Sequence, residues 1–189
     1  IKGTGHWESI RIPLTRRLEH WGGANDGRIH FPIKSLVFSV PLPHEDHKTG
    51  KVEYADVAVD PGEPKPQPLV PRTLSGGNVD LRVCEKDAQW EFIRNTGRGS
   101  FTLGTSEDGK PIGILEYDFT KSKSRSTPYV LAKTPVRVDE GAIELRISAR
   151  SPIAQPLTFR VVDSTDQTHQ FKGRIAGAGQ WEAIRIPLT

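Results

Sequence analysis

The chain has 189 residues, 35% of them apolar and 7% aromatic, with 18 glycines, 15 prolines and a net charge of +3. This length suits one large or two small domains with a sizeable core, and the apolar content excludes wholesale disorder. The 26 basic and 23 acidic residues are interspersed, which argues against nucleic acid as a partner, and no apolar run is long enough to cross a bilayer.

The chain opens on IKGTGHWESIRIPLT, in which a Gly-X-Gly turn and Trp7 precede alternating Ile10, Ile12 and Leu14. After it comes HWGGANDG (20–27), a turn-rich loop, and then two strand signals, PIKSLVFSV and KVEYADVAV, separated by HEDH (44–47). That pair of histidines lacks the HExxH spacing of a zinc site and reads as a solvated hairpin loop. Next, proline recurs at positions 61, 64, 66, 68 and 71. It forbids a central strand there and favours an extended linker over 61–72.

Beyond the linker, strand signals follow at short spacing: VDLRVC, QWEFIR, GSFTLGT, PIGILEYDF, PYVLAKTPVRV, AIELRISAR, PLTFRVVDS, HQFKGRI and WEAIRIPL. The alternation places Ile143, Leu145 and Ile147 on one face, as it does Leu157, Phe159 and Val161. Turn dipeptides DG, EG and DQ punctuate these runs, and KSKSR (121–125) reads as a solvated turn. No convincing helix occurs. The pattern predicts an all-β antiparallel sandwich or jelly roll. Cys84, alone in the chain, reads as a buried, inert thiol; a chain without disulfides leaves the compartment open.

The last fifteen residues, IAGAGQWEAIRIPLT, repeat the first fifteen at 11 of 15 positions with a constant offset of 174. The chain thus reads as one domain-sized repeat plus fifteen residues, a piece of something longer. Residues 1–60 hold three clear strands, too few to cover an apolar face alone. Either they fold back on 73–189 as a circular permutant with one spare copy of the strand, or they complete a neighbouring molecule. Exchange of that kind runs head to tail and generates filaments. Its joint would be built from Trp7, Ile10, Ile12, Trp181, Ile184 and Ile186.

In permuted order, WEFIRNTGRGSFTLGTSEDGKPIGILEYDF, YVLAKTPVRV, LTFRVVDSTDQTHQFKG, GQWEAIRIPLT, HWGGANDGRIHFPIKSLVFSV and TGKVEYADVAV resemble the galactose-binding-like β-sandwich modules attached to bacterial extracellular glycosidases. The resemblance implies a secreted or cell-surface jelly roll that is usually noncatalytic, often binds carbohydrate and often carries a structural calcium ion.

The best local constellation for a glycan is Trp21 with His20, Asn25, Asp26 and His30. An aromatic face can stack on pyranose C–H bonds while short polar groups bond the hydroxyls. The competing account is a sandwich-edge Trp21 beside a turn at Asn25-Asp26-Gly27 that needs positive φ. Trp7, Trp181 and Trp90 read as structural. Carboxylates of Asp56, Glu107, Asp108, Glu116, Asp118, Asp163 and Asp166 could supply calcium ligands, though no EF-hand loop is present. No GxSxG elbow, Cys-His pair or P-loop suggests catalysis.

Overall fold

The computed structural model describes residues 9–11, 19–42, 47–61, 79–122 and 128–188. Thirteen strands appear among them and no helix: β1 (Ser9–Arg11), β2 (Glu19–Trp21), β3 (Ile33–Pro41), β4 (Thr49–Asp60), β5 (Val79–Asp80), β6 (Glu91–Asn95), β7 (Arg98–Thr105), β8 (Pro111–Asp118), β9 (Tyr129–Val138), β10 (Glu144–Arg150), β11 (Gln155–Val162), β12 (Thr168–Ile175) and β13 (Glu182–Pro187). Trp7, Ile12, most of HEDH, the proline-rich linker and the end of KSKSR lie outside the described residues.

Two sheets pack face to face as a β-sandwich. The first runs β1-β13-β10-β4-β8-β7, with β5 added to the second half of β4; the second runs β2-β12-β11-β3-β9-β6. Strand pairs are antiparallel except β1 with β13. The short N-terminal segment is interleaved with the long one. Its β3 lies between β9 and β11 in the second sheet, and its β4 lies between β10 and β8 in the first. Set between strands of the long segment, β3 and β4 find the partners that three strands alone would lack.

Alternation decides which side chains meet in the middle. A cross-strand row of Phe92, Ala132, Phe38, Phe159 and Phe171 runs across the second sheet. All but Phe92 are buried, facing Tyr54, Leu115, Ile147, Ile184 and Ile186 of the first sheet. The Phe38 ring lies 4.6 Å from Tyr54 and 5.7 Å edge-on from Phe159. Each such side chain contributes about 1.5–3 kcal/mol by leaving water. Trp90 is structural: its indole N–H donates to the Val83 carbonyl at 2.7 Å and its ring lies 4.2 Å from Phe101.

Two local expectations need correction. VDLRVC is a strand only at Val79–Asp80, because the Asp80 carboxylate accepts the Arg82 amide at 2.8 Å and Arg82 takes φ 55°, turning the chain. Cys84 therefore sits in a turn, buried, with its thiol pushed up to about 12 by desolvation. Ile143 does not join Leu145 and Ile147 inside; it is 43% exposed. The turn after Gly141 (φ 104°) delivers the chain to β10 only at Glu144, and Ile143 is held by its backbone to Asp60 and Leu188.

The repeated strand is used twice, unequally. β13 pairs with β10 over six residues and buries Ile184 and Ile186 in the core, as the chain just beyond it buries Leu188. β1 lies parallel on its other edge with Ser9 opposite Ala183, Ile10 opposite Ile184 and Arg11 opposite Arg185. Each residue of β1 faces its own counterpart in the repeat.

Candidate binding face on the second sheet

Residues that alternate with the phenylalanine row point away from the core. Register places Glu19, Gln170, Arg160, Val37, Lys133 and Glu91 in one row across all six strands of the second sheet. The neighbouring row holds Trp21, Thr168, Val162, Ser35 and Pro135. Trp21, at the end of β2, is 43% exposed. The Arg160 guanidinium lies 5.3 Å from the centroid of the Trp21 ring and 5.8 Å from that of Tyr129, close enough to each for cation–π attraction.

Polar partners fix this arrangement. Arg160 Nε donates to Gln170 Oε1 at 2.8 Å, the Gln170 amide donates to Glu19, and the Lys172 ammonium caps the same carboxylate. The Lys172 hydrogen bond lowers the Glu19 carboxyl below its ordinary range. Burial lowers the Arg160 guanidinium, an effect opposed by Tyr129 and Glu19, and the group stays cationic at any physiological pH. Further along the same face, Lys34, Gln89, Glu91, Lys133 and Asp166 line a depression of about 410 Å³ together with Ser35, Pro135 and Val162. Lys34 is paired with Asp166 at 3.0 Å, whereas Lys133 has no ion-pair partner among the described residues.

The loop after Trp21 is packed onto the β11–β12 turn. Gly23, at φ 47°, comes so close that a Cβ there would meet the Gln167 amide nitrogen at 2.3 Å. Beneath it, Asp163 and His169 are fully buried and paired at 3.2 Å. Asp163 also accepts the His30 amide at 3.0 Å, the Thr165 amide and hydroxyl at 2.9 and 2.8 Å, and the Gln167 amide at 3.1 Å. Burial alone would raise the Asp163 carboxyl, but these donors more than offset it and hold the group below its ordinary range. Gln167 ties the loop down by donating to the Arg28 carbonyl at 2.8 Å. His169 Nδ1 is buried without a partner.

The five sequence candidates are thus neighbours with different duties. Asn25, at φ 51°, and Gly27, at φ 77°, form the positive-φ turn. Asp26 accepts the Arg28 amide at 2.9 Å and contacts His30 Nε2 at 3.0 Å, which draws its carboxyl down to about 2. His20 lies behind Gly27 with its ring 6.5 Å from that of His169. Trp21 alone of the five presents a broad apolar face outward. Arg160, Tyr129, Gln170, Glu19 and Lys133 had not been singled out in the sequence. Their signal is the outward half of each strand's alternation, which becomes informative only once strand order is known.

The carboxylates considered for calcium do not converge. Among the described residues no three His, Cys, Asp or Glu side chains gather where a metal ion could sit. Asp118 is taken up by Thr120, Glu116 by Ser100, Asp108 by Ser106, Asp56 by Ser148 and Asp166 by Lys34. Among the assembly candidates, Ile184 and Ile186 are core residues, and Trp181 packs its ring 4.6 Å from the Arg150 guanidinium on the first sheet. No helix among the described residues is long and apolar enough to cross a membrane. Comparisons with protein-family models, curated proteins and solved structures gave no match.

Proposed function

We propose that the chain is a noncatalytic carbohydrate-binding β-sandwich module of an extracellular protein, of the galactose-binding-like kind, and that the outer face of its second sheet receives the glycan. The observation that carries the reading is Trp21. It is a large, exposed aromatic side chain beside Arg160, whose guanidinium also reaches Tyr129, and a row of charged and amide groups, all anchored on paired strands or on a loop tied down by Asp163 and Gln167. A pyranose ring stacks on such a surface while its hydroxyls bond the neighbouring polar groups, and rigid strands limit the ordering cost of binding. Asn25, Asp26, His20 and His30 shape the loop that borders this platform.

Affinity electrophoresis over a panel of soluble glycans tests it. Trp21→Ala is expected to keep the wild-type melting temperature and lose retention on the glycan that the wild type binds. Equal retention of mutant and wild type on every glycan bound would reject this face.

One observation favours a second reading, a structural protomer that assembles head to tail through its repeated strand. β1 lies on the free edge of β13 in self-register, so the same edge could receive β1 of another copy by strand addition. Polymers that form in the wild type and disappear on deletion of residues 1–15 would support it.

A further inference from the structure

Resting on the carbohydrate-binding reading, we propose that the glycan is acidic, a uronate-bearing polysaccharide whose carboxylate is received by Arg160. The guanidinium is held in place by its Nε hydrogen bond to Gln170 and by two aromatic rings. Its Nη1 and Nη2 donors, in contrast, have no acceptor among the described residues. Glu19, the nearest carboxylate in the row, is turned to Gln170 and Lys172 instead.

A half-buried guanidinium with a fixed plane and two unspent NH2 groups matches a carboxylate, which it binds through two parallel hydrogen bonds. A neutral hydroxyl would leave the charge uncompensated in partly desolvated surroundings. Trp21 beside it supplies the stacking surface for the ring that carries the carboxylate.

The rest of the face agrees in sign. Register puts Lys133, Lys172 and Arg174 on the same side as Arg160, outnumbering Glu19 and Glu91. Lys133, without an ion-pair partner among the described residues, stands at the depression lined by Gln89 and Lys34. It is two strands from Arg160, roughly 10 Å at the usual strand spacing. An extended polyanion crossing the strands would meet Arg160 first and Lys133 next.

The test uses the whole chain and defined probes: polygalacturonate, alginate and hyaluronan as uronans; galactan and a mixed-linkage β-glucan as neutral glycans; carrageenan as a sulfated glycan without carboxylates; and polygalacturonate or alginate after methyl esterification of its carboxyls. Titration calorimetry at about physiological ionic strength, where long-range attraction is screened, is expected to show binding to at least one uronan that esterification abolishes. Arg160→Lys keeps the charge and removes the fork, and is expected to weaken that binding at least about tenfold, with an unchanged near-ultraviolet circular dichroism spectrum confirming the fold. Lys133→Gln is expected to weaken it less.

Four results would overturn the inference. Uronan binding that is equal in wild type and Arg160→Lys would be general polyelectrolyte attraction. Binding to carrageenan without binding to any uronan would assign the site to sulfate. Binding of a neutral glycan alone, lost in Trp21→Ala and unaffected by Arg160→Lys, would remove the acidic sugar and leave the carbohydrate reading standing. A chain that binds no glycan in the panel would remove both.

Discussion

β13 and β1 carry the same residues, IRIPLT beginning at Ile184 and at Ile10, yet their positions differ. β13 is six residues long, lies between β1 and β10, and sends Ile184 and Ile186 into the core. β1 is three residues long and forms the margin of the sheet. The difference lies in what surrounds each copy. The turn before β13 fits the 151–154 loop, with Ala178 and Gly179 amides donating to Pro152 and Ser151 carbonyls. Gly177, at φ 87°, comes so near that loop that a Cβ would meet the Ala154 nitrogen at 2.4 Å. For β13, a partner edge in β10 and a fitted turn are both at hand, and the strand is drawn into the core.

If β13 is the copy that closes the sandwich, truncating its core side chains should cost most. Ile186→Ala, at a fully buried position, is expected to lose about 2–5 kcal/mol in urea unfolding. A loss below about 1 kcal/mol would mean that the other copy can replace it.

The β11–β12 turn, which braces the Trp21 loop, should show the next largest effect. Asp163 is fully buried and its carboxyl is lowered. A group whose folded pKa lies below its unfolded value stabilises fully above the unfolded value, near 3.9 for aspartate, and ceases to do so as pH falls through the folded value. Asp163→Asn is therefore expected to destabilise by about 3 kcal/mol at pH 7 and by progressively less in acid, as pH falls through the folded value. Parallel melting curves for mutant and wild type, offset equally at pH 7 and in acid, would show that ionisation of Asp163 contributes nothing.

A smaller effect sharpens the contrast between the two copies. Glu182 accepts the Ala176 amide at 2.8 Å and the Gly177 amide at 3.4 Å, closing the turn that leads into β13. Glu182→Ala is expected to cost about 1 kcal/mol, read from the midpoint of urea unfolding. An unchanged midpoint would place the fit of that turn in its glycines alone.

Much of the fold was legible because half-buried antiparallel strands announce themselves by period two. Leu157, Phe159 and Val161 fall on the buried face as the alternation requires, as do Ile184, Ile186 and Leu188. The misreadings came where a side chain bent the backbone, at Asp80-Arg82, or where a strand began one residue late, at Ile143. The site was legible only in part. HWGGANDG advertised an aromatic residue and a turn, and both are there. Arg160 and Tyr129 are far from it in sequence, and only the strand order β2-β12-β11-β3-β9 brings their strands to Trp21. Long-range pairing of that kind has no local signature.

The smallest expected effect bears on the largest functional question. Deleting residues 1–15 removes β1, whose described contribution is a three-residue parallel ladder at the sheet margin, so the monomer is expected to lose no more than about 1 kcal/mol. The deletion also exposes the outer edge of β13, a row of unpaired backbone groups ready to accept a strand. Multi-angle light scattering against concentration separates the roles of β1. If the wild type is monomeric and the truncated chain associates, β1 is a guard strand that covers its own copy's edge. If the wild type polymerises in a regular way and the truncated chain does not, β1 passes between molecules and the repeated phrase is the joint. A truncated chain that stays monomeric and as stable as a monomeric wild type would mean that the β13 edge needs no cover, leaving the face around Trp21 and Arg160 to account for the module.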